Sequence, residues 1–292
     1  MCRLLTYNGP SMIMENLIVH ANHSLIAQSL SSTKRSKPLN GDGFGVGWYP
    51  LHDDPEPGVF RSIEPAWRNH NLRQIAGKIK SRCFFAHVRD ASAGMHVSRF
   101  NCHPFSYGRF LWMHNGRLDQ FEKIKKPLIN SLSDRAYINI QGTTDSEYAF
   151  ALFLDYMDFK TDADLHMMKN GLNATLKHIM ELRKEYGATT PSYMNFAISN
   201  GKITLVTRLS SSEEAKPESL FYAYGRYETD ASKQFRLRPN SDVSQDVAII
   251  ASEPLTDWHE DWIKVERHSM IIVDESNKVS VETIPVPFQE DL

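Results

Sequence analysis

The chain has 292 residues, three cysteines and a net charge of −2, with 41% hydrophobic and 23% charged residues. Near-neutral charge without a long basic run argues against nucleic-acid and membrane-surface partners, and the globular composition argues against disorder. Cys2, Cys83 and Cys102 form an odd set that is no disulfide framework. Neither a signal-peptide core nor a membrane span is evident, so the chain is expected in the cytoplasm.

The N-terminal MCRLLTYNG places a cysteine directly behind the initiator methionine and continues as a strand, CRLLTYN. Next come a short helix over 23–30, a polar loop over 31–43 with Asn-Gly and Asp-Gly turn signals, and strands at FGVGWY and VFRSI. A helix is predicted over 68–80. Two strands, CFFAHV and RFLWMHN, follow, separated by about twenty residues without structure of their own, a length that tends to be functional. The periodicity then predicts helices over 145–158 and 164–186. In the second, Leu165, Met168, Leu172, Leu176 and Ile179 recur at helical spacing and Gly187 supplies the stop. The remainder reads as successive strands: YMNFAIS, KITLVTRL, SLFYAYG, DVAIIAS, SMIIVDE and KVSVETI. Strands, then helices, then strands predict an α+β protein. The segments 210–217 and 228–241 read as linkers or surface loops, and one domain over 1–292 is the preferred reading.

Four short stretches carry chemistry. In NGDGFGVGWY, Gly43, Gly45 and Gly47 share one strand face, leaving it almost bare. No helix opens there, so a dinucleotide loop is excluded. Either a bulged edge strand or a bare floor beneath a site remains. FAHVRDAS ends a strand on His87, Arg89 and Asp90, where an arginine can grip a carboxylate bidentately or simply pair with a neighbouring acid. In WMHNGRL, the Asn115 side chain and the Gly116 N–H can aim two donors at one developing oxyanion, although Asn-Gly is also a hairpin corner. TTDSEYAFALFL fits a capping box, Thr144 as N-cap and Glu147 at N3, which leaves the Asp145 carboxylate in the first turn and able to receive an ammonium group. His87, His103, His114 and Cys102 lack the paired spacing of a zinc site. His103 and Cys102 are therefore assigned to packing or loop structure and Cys83 to the core, and no metal is expected.

Taken in order, the Met-Cys start, His-x-Arg-x-Ala-Ser, His-Asn-Gly and Thr-Asp-Ser-Glu resemble the class II glutamine amidotransferases over nearly the whole chain. IIASEPLT (249–256) is similar to a late strand of that family. The Cys-Arg-x-Leu start and the Asn-x-Asp-Gly-Phe-Gly-Val and His-Pro-Phe segments resemble its stand-alone branch. That branch includes the ergothioneine-pathway γ-glutamyl amidase and the amidotransferase-like subunit of fungal glutathione degradation. Arg3 departs from the Gly-Ile that usually follows the cysteine in the larger family.

The resemblance implies an N-terminal-nucleophile hydrolase fold, a four-layer αββα sandwich with two antiparallel sheets. It implies Cys2 as nucleophile, Arg89 and Asp145 as receptors for the substrate α-carboxylate and α-ammonium, and Asn115 and Gly116 as the oxyanion hole. His87 and His114 are placed with them around the substrate. No cofactor is implied. Removal of Met1 would free an α-amine with a reference pKa of roughly 7.7–8.0 to take the thiol proton. The expected activity is cleavage of a γ-glutamyl amide, with glutamate released; the alternative is a non-catalytic γ-glutamyl-binding subunit. Partners left open are a separate acceptor or peptidase subunit and a second copy of the chain in a homodimer.

Overall fold

Apolar alternation at the start of the chain produces β1 (Arg3–Ile13), which runs on past the predicted end at Asn8. The computed structural model describes residues 2–32, 39–91, 97–229, 234–238 and 246–285. Met1, whose removal the sequence reading requires, lies outside the described residues, as do 33–38 of the polar loop and parts of 228–241. After β1 come α1 (Leu25–Leu30), capped by the Ser24 hydroxyl, then β2 (Phe44–Trp48) and β3 (Gly58–Ser62). α2 (His70–Ala76) is shorter than predicted. Asn69 caps its start by accepting the Leu72 N–H at 2.8 Å, and the Gly77 N–H closes its end on Arg73.

β4 (Lys80–Val88) and β6 (Phe110–Arg117) are the two motif-bearing strands. The segment between them, expected to be structureless, holds a 3-10 turn at Arg99–Asn101 and β5 (Phe105–Tyr107), which forms a hairpin with β6. Two helices that the sequence reading did not anticipate follow: α3 (Phe121–Ser131), with Pro127 inside it, and the short α4 (Asp134–Ile138). α5 (Asp145–Tyr156) and α6 (Leu165–Glu185) match the predicted pair. Asp164 caps α6 by accepting the Met167 N–H at 2.8 Å, and Gly187 beyond its end adopts φ +65°, the left-handed conformation a glycine tolerates best. The rest is strand: β7 (Tyr193–Ser199), β8 (Thr204–Arg208), β9 (Phe221–Thr229), β10 (Phe235–Arg238), β11 (Asp246–Ala251), β12 (Ile263–Lys264), β13 (Ser269–Val273) and β14 (Val279–Thr283).

One sheet has the order β10-β9-β11-β1-β4-β2-β3, with β12 also on β9; the other runs β14-β13-β8-β7-β6-β5. Both are antiparallel, and the first joins the opening strands to the late ones through β1–β11. Side-chain alternation then fixes the layers. Leu5 and Tyr7 of β1 pack outward with Leu25 and Leu72 of the first helical layer. Leu4 packs inward with Phe85, against Leu111, Met113 and Ala197 of the second sheet. The far face of that sheet, Trp112, Phe196 and Leu205, packs on Phe153 and Leu172 of α5 and α6. Burying each such side chain contributes about 1.5–3 kcal/mol, so α5, buried at nine of its twelve positions, is held by packing more than by propensity. The result is the expected four-layer αββα sandwich.

The glycine strand departs from both readings of it. β2 is interior, paired in regular register with β3 and β4, so it is no bulged edge. Its bare face is covered by backbone and packing side chains: a Cβ at Gly45 would overlap the His103 carbonyl oxygen, and one at Gly47 would lie 2.9 Å from Pro104 and from Leu111. The missing side chains let the 102–104 segment lie directly on the sheet.

Candidate active site

Cys2 immediately precedes β1, and strand alternation puts position 2 on the same side as Leu4, toward the second sheet. Its thiol is partly buried. The Asp90 N–H donates to Sγ at 3.5 Å, and Sγ lies 3.8 Å from the Asp90 carbonyl oxygen. Burial raises the thiol pKa; the Asp90 backbone and the Arg89 charge work against that rise. Arg89 follows β4 directly. Its backbone N–H donates to the Gly43 carbonyl at 2.8 Å, its carbonyl accepts the Asp42 N–H at 3.1 Å, and the Asp42 carboxylate accepts the Ala91 N–H at 2.9 Å. The backbone is thus clamped, while the guanidinium makes no hydrogen bond among the described residues. Arg89 is 4% exposed, and its buried Nη1 has no hydrogen-bond partner among the described residues. A buried guanidinium without an acceptor is costly unless something else supplies one.

From the second sheet, β6 contributes His114, Asn115 and Gly116. Asn115 is fully buried; its Nδ2 donates to the Ser252 hydroxyl at 3.0 Å, and its Oδ1 has no partner among the described residues. A Cβ at Gly116 would overlap the Tyr193 carbonyl oxygen, so this position requires glycine for close strand approach. His114 points to the other side, where Nε2 contacts the Tyr193 carbonyl at 2.9 Å and Nδ1 contacts the Ser146 hydroxyl at 2.8 Å. Those bonds fit a proton on Nε2, with Nδ1 accepting from Ser146. Ser146 neighbours Asp145, whose carboxylate accepts the Leu118 N–H at 2.5 Å and the Ser146 N–H at 2.8 Å. His87, fully buried on β4, reaches the His114 carbonyl with Nε2 at 3.3 Å.

The contacts join the residues singled out from the sequence in separate groups: Cys2 with the Asp90 backbone next to Arg89, Asn115 through Ser252 to Leu4, and His87 through the His114 carbonyl and Ser146 to Asp145. Asp42, Ser146 and Ser252 take part in these contacts and were not singled out. Each sits inside a quoted motif, but nothing local marks a hydroxyl or carboxylate as a tie between distant segments.

One local expectation changes. Thr144 does cap α5, its hydroxyl accepting the Glu147 N–H at 3.3 Å. The Glu147 carboxylate, however, reaches past the N-cap to the N–H groups of Gln141 (2.9 Å) and Gly142 (2.6 Å), pinning the loop that leads into Asp145 rather than closing a capping box. Arg3 turns away from the thiol. It is fully buried and pairs with Glu253 at 3.3 Å and Glu218 at 3.6 Å. A cavity of about 150 Å³ lined by Arg61, Tyr107, Glu147, Phe150 and Leu154 holds none of the seven candidate site residues. Its helical lining is the 147/150/151/154 stripe, about half a turn round α5 from Asp145.

His87, His103 and His114 are buried close together, the first two rings 4.4 Å apart. Among the described residues no group of three His, Cys, Asp or Glu is arranged to hold a metal ion. Burial lowers all three imidazole pKa values, that of His87 to about 3. Neutral in the fold and protonated when unfolded below about pH 6.5, such a group stabilises the protein above that value. The contribution is lost as pH falls toward about 3. Between pH 6.5 and 5, His87 alone accounts for about 2 kcal/mol. Urea unfolding is therefore expected to show a clear loss of stability from pH 7 to pH 5; equal midpoints would contradict neutral burial.

The family model described as Glutamine amidotransferases class-II matches residues 1–291. The chain is 38% identical over 312 residues to a Saccharomyces cerevisiae protein named probable glutamine amidotransferase DUG3, across 100% of this chain and 87% of that protein. It is 31% identical over 139 residues to a Mycobacterium tuberculosis protein named gamma-glutamyl-hercynylcysteine sulfoxide hydrolase, across 47% of this chain and 58% of the other. Among solved structures, a glutamine aminotransferase class-II domain protein from Silicibacter pomeroyi superposes with a TM-score of 0.65 at 25% identity, covering 97% of this chain and 99% of that one. The glutamine phosphoribosylpyrophosphate amidotransferase of B. subtilis gives 0.58 at 15% identity, covering 97% and 49%, a likeness of fold.

Proposed function

This chain belongs to the class II glutamine amidotransferases, and from that premise we propose that it hydrolyses a γ-glutamyl amide through a thioester on Cys2. The observation that carries the reading is the buried Arg89 guanidinium, its Nη1 without a partner among the described residues, beside a thiol that accepts the Asp90 N–H. A substrate α-carboxylate is the acceptor that this arginine lacks, and a bidentate pair there would orient the γ-carbonyl. Asp145 would receive the α-ammonium, and the ion pairs at both charges would select an amino-acid head group.

Because burial raises the Cys2 pKa, the resting thiol is protonated near neutrality. Attack then requires a base at hand. With Met1 removed, the Cys2 α-amine takes the proton as sulfur bonds to the amide carbon, and Asn115 and Gly116 donate to the oxyanion. The C–N bond breaks, the proton passes to the departing nitrogen, and water hydrolyses the thioester to glutamate. With Met1 attached, that nitrogen is an amide and accepts no proton.

In this scheme His114 is a positioning residue, since both its ring nitrogens are engaged by Ser146 and Tyr193. His87 supports the β6 backbone from below. We take 1–292 as one catalytic domain, since each sheet draws strands from distant parts of the chain. The Mycobacterium relative is named as a γ-glutamyl hydrolase, which favours outright hydrolysis over ammonia transfer.

The test pairs intact mass, to establish loss of Met1, with glutamate release from glutamine and a panel of γ-glutamyl peptides. Turnover of at least one substrate by processed protein is expected. Stabilisation by glutamate without turnover would instead favour a non-catalytic γ-glutamyl-binding subunit.

A further inference from the structure

We propose that Ser252 is a positioning residue that sets both the reach and the orientation of the Asn115 amide, an inference that rests on the thioester reading above. β1 and β6 lie in different sheets, with no backbone ladder between them. The Ser252 hydroxyl ties them directly. It accepts the Leu4 N–H at 3.0 Å, two residues beyond the nucleophile, and bonds the Asn115 amide at 3.0 Å. Its own backbone is fixed on both sides, the N–H donating to the Leu4 carbonyl at 3.1 Å and the carbonyl accepting the Ser219 hydroxyl at 2.8 Å. Ser252 is fully buried, so water does not compete for these bonds.

Donor accounting carries the argument further. A serine hydroxyl has one hydrogen to give and two lone pairs. With Leu4 N–H and Asn115 Nδ2 both donating to it, the lone pairs are used and the hydroxyl hydrogen has no acceptor among the described residues. The Asn115 Oδ1 meanwhile is buried without a partner among the described residues. A half-turn of the amide about its terminal torsion resolves both defects at once. Ser252 then donates to Oδ1 while still accepting from Leu4, and Nδ2 takes the place that Oδ1 vacates. That place has no partner among the described residues, and in the proposed chemistry the oxyanion fills it. Ser252 thereby selects the orientation in which Asn115 presents donors, not a carbonyl oxygen, to developing negative charge. Without the hydroxyl, the amide is free to turn its oxygen toward the oxyanion, which repels it.

The experiment measures kcat and KM for glutamate release by Met1-processed parent, Ser252→Ala, Ser252→Thr, Asn115→Ala and the Ser252→Ala/Asn115→Ala double variant. Ser252→Ala is expected to lower kcat about 10- to 100-fold with KM within about twofold, because the interaction matters only once the oxyanion forms. Ser252→Thr, which keeps the hydroxyl, should recover kcat to within about fivefold of the parent, and Ser252→Ala should cost nothing further once Asn115 is alanine. If Ser252→Ala does not fold, Ser252→Cys, similar in size with a weak donor, takes its place with the same expected loss. An unchanged kcat, or losses that simply add in the double variant, would overturn the proposal while leaving the hydrolase reading intact. Absence of turnover in the parent would overturn both.

Discussion

Cys2→Ala is expected to abolish glutamate release by Met1-processed protein, lowering kcat at least about 10,000-fold, while the fold persists. The size of the loss follows from the proposed chemistry. Without sulfur no thioester forms, and the remaining oxyanion donors and head-group receptors have no covalent step to assist. Persistence of the fold follows from position. Cys2 precedes β1, is only partly buried, and its thiol makes no contact with Asp90 shorter than 3.5 Å. Thermal unfolding should therefore move by no more than the equivalent of about 1 kcal/mol. Residual turnover above about one part in a hundred would show that another group makes the bond, since removal of a true nucleophile costs far more. Retention of Met1 should mimic this variant, because acylation of the nitrogen removes the base and leaves the sulfur in place.

Arg89→Met gives the second large effect, and its two consequences run in opposite directions. The substrate carboxylate loses a buried charge-assisted pair, which is worth about 3–5 kcal/mol, or roughly 100- to 5,000-fold in kcat/KM. The ligand-free protein, by contrast, should become equally or more stable, because a buried guanidinium nitrogen with no acceptor among the described residues is replaced by an apolar side chain of similar length. The backbone bonds of position 89 to Gly43 and Asp42 do not involve the side chain and survive. Arg89→Lys should recover little activity, since a point charge does not reproduce a two-pronged fork. Paired measurements of kcat/KM and of melting temperature with and without glutamate decide the matter. A fall in ligand-free stability comparable to the loss of activity would mean that Arg89 is a structural residue.

The order of chemical groups was legible in the sequence because each motif is local. Cys2 behind Met1, Arg89 just past an apolar strand, Asn115-Gly116 near a strand end and Asp145 in a first helical turn are patterns of adjacent residues. Most strand and helix positions were legible for the same reason, as in α6, whose stripe from Met168 to Ile179 is buried as its spacing predicts. α3 was missed because Pro127 and its lysines mask a helix that tertiary packing holds, with Ile124 and Leu128 buried against the second sheet's helical layer.

Composition and local pattern by themselves determined the α+β class, the strand alternation and which side chains carry reactive groups. Only the tertiary structure decided what those groups face. β1 lies between β4 and β11, which brings residue 252 onto Leu4 and residue 90 onto Cys2, and no local pattern encodes contacts across such separations. It also decided that the bare glycine face of β2 receives the 102–104 backbone, that Glu147 holds a loop, and that Arg3 turns from the thiol into an ion pair. The physical reason is common to all of these. A local pattern fixes a residue's face and spacing, whereas the partner on that face is set by how the sheets and helices pack.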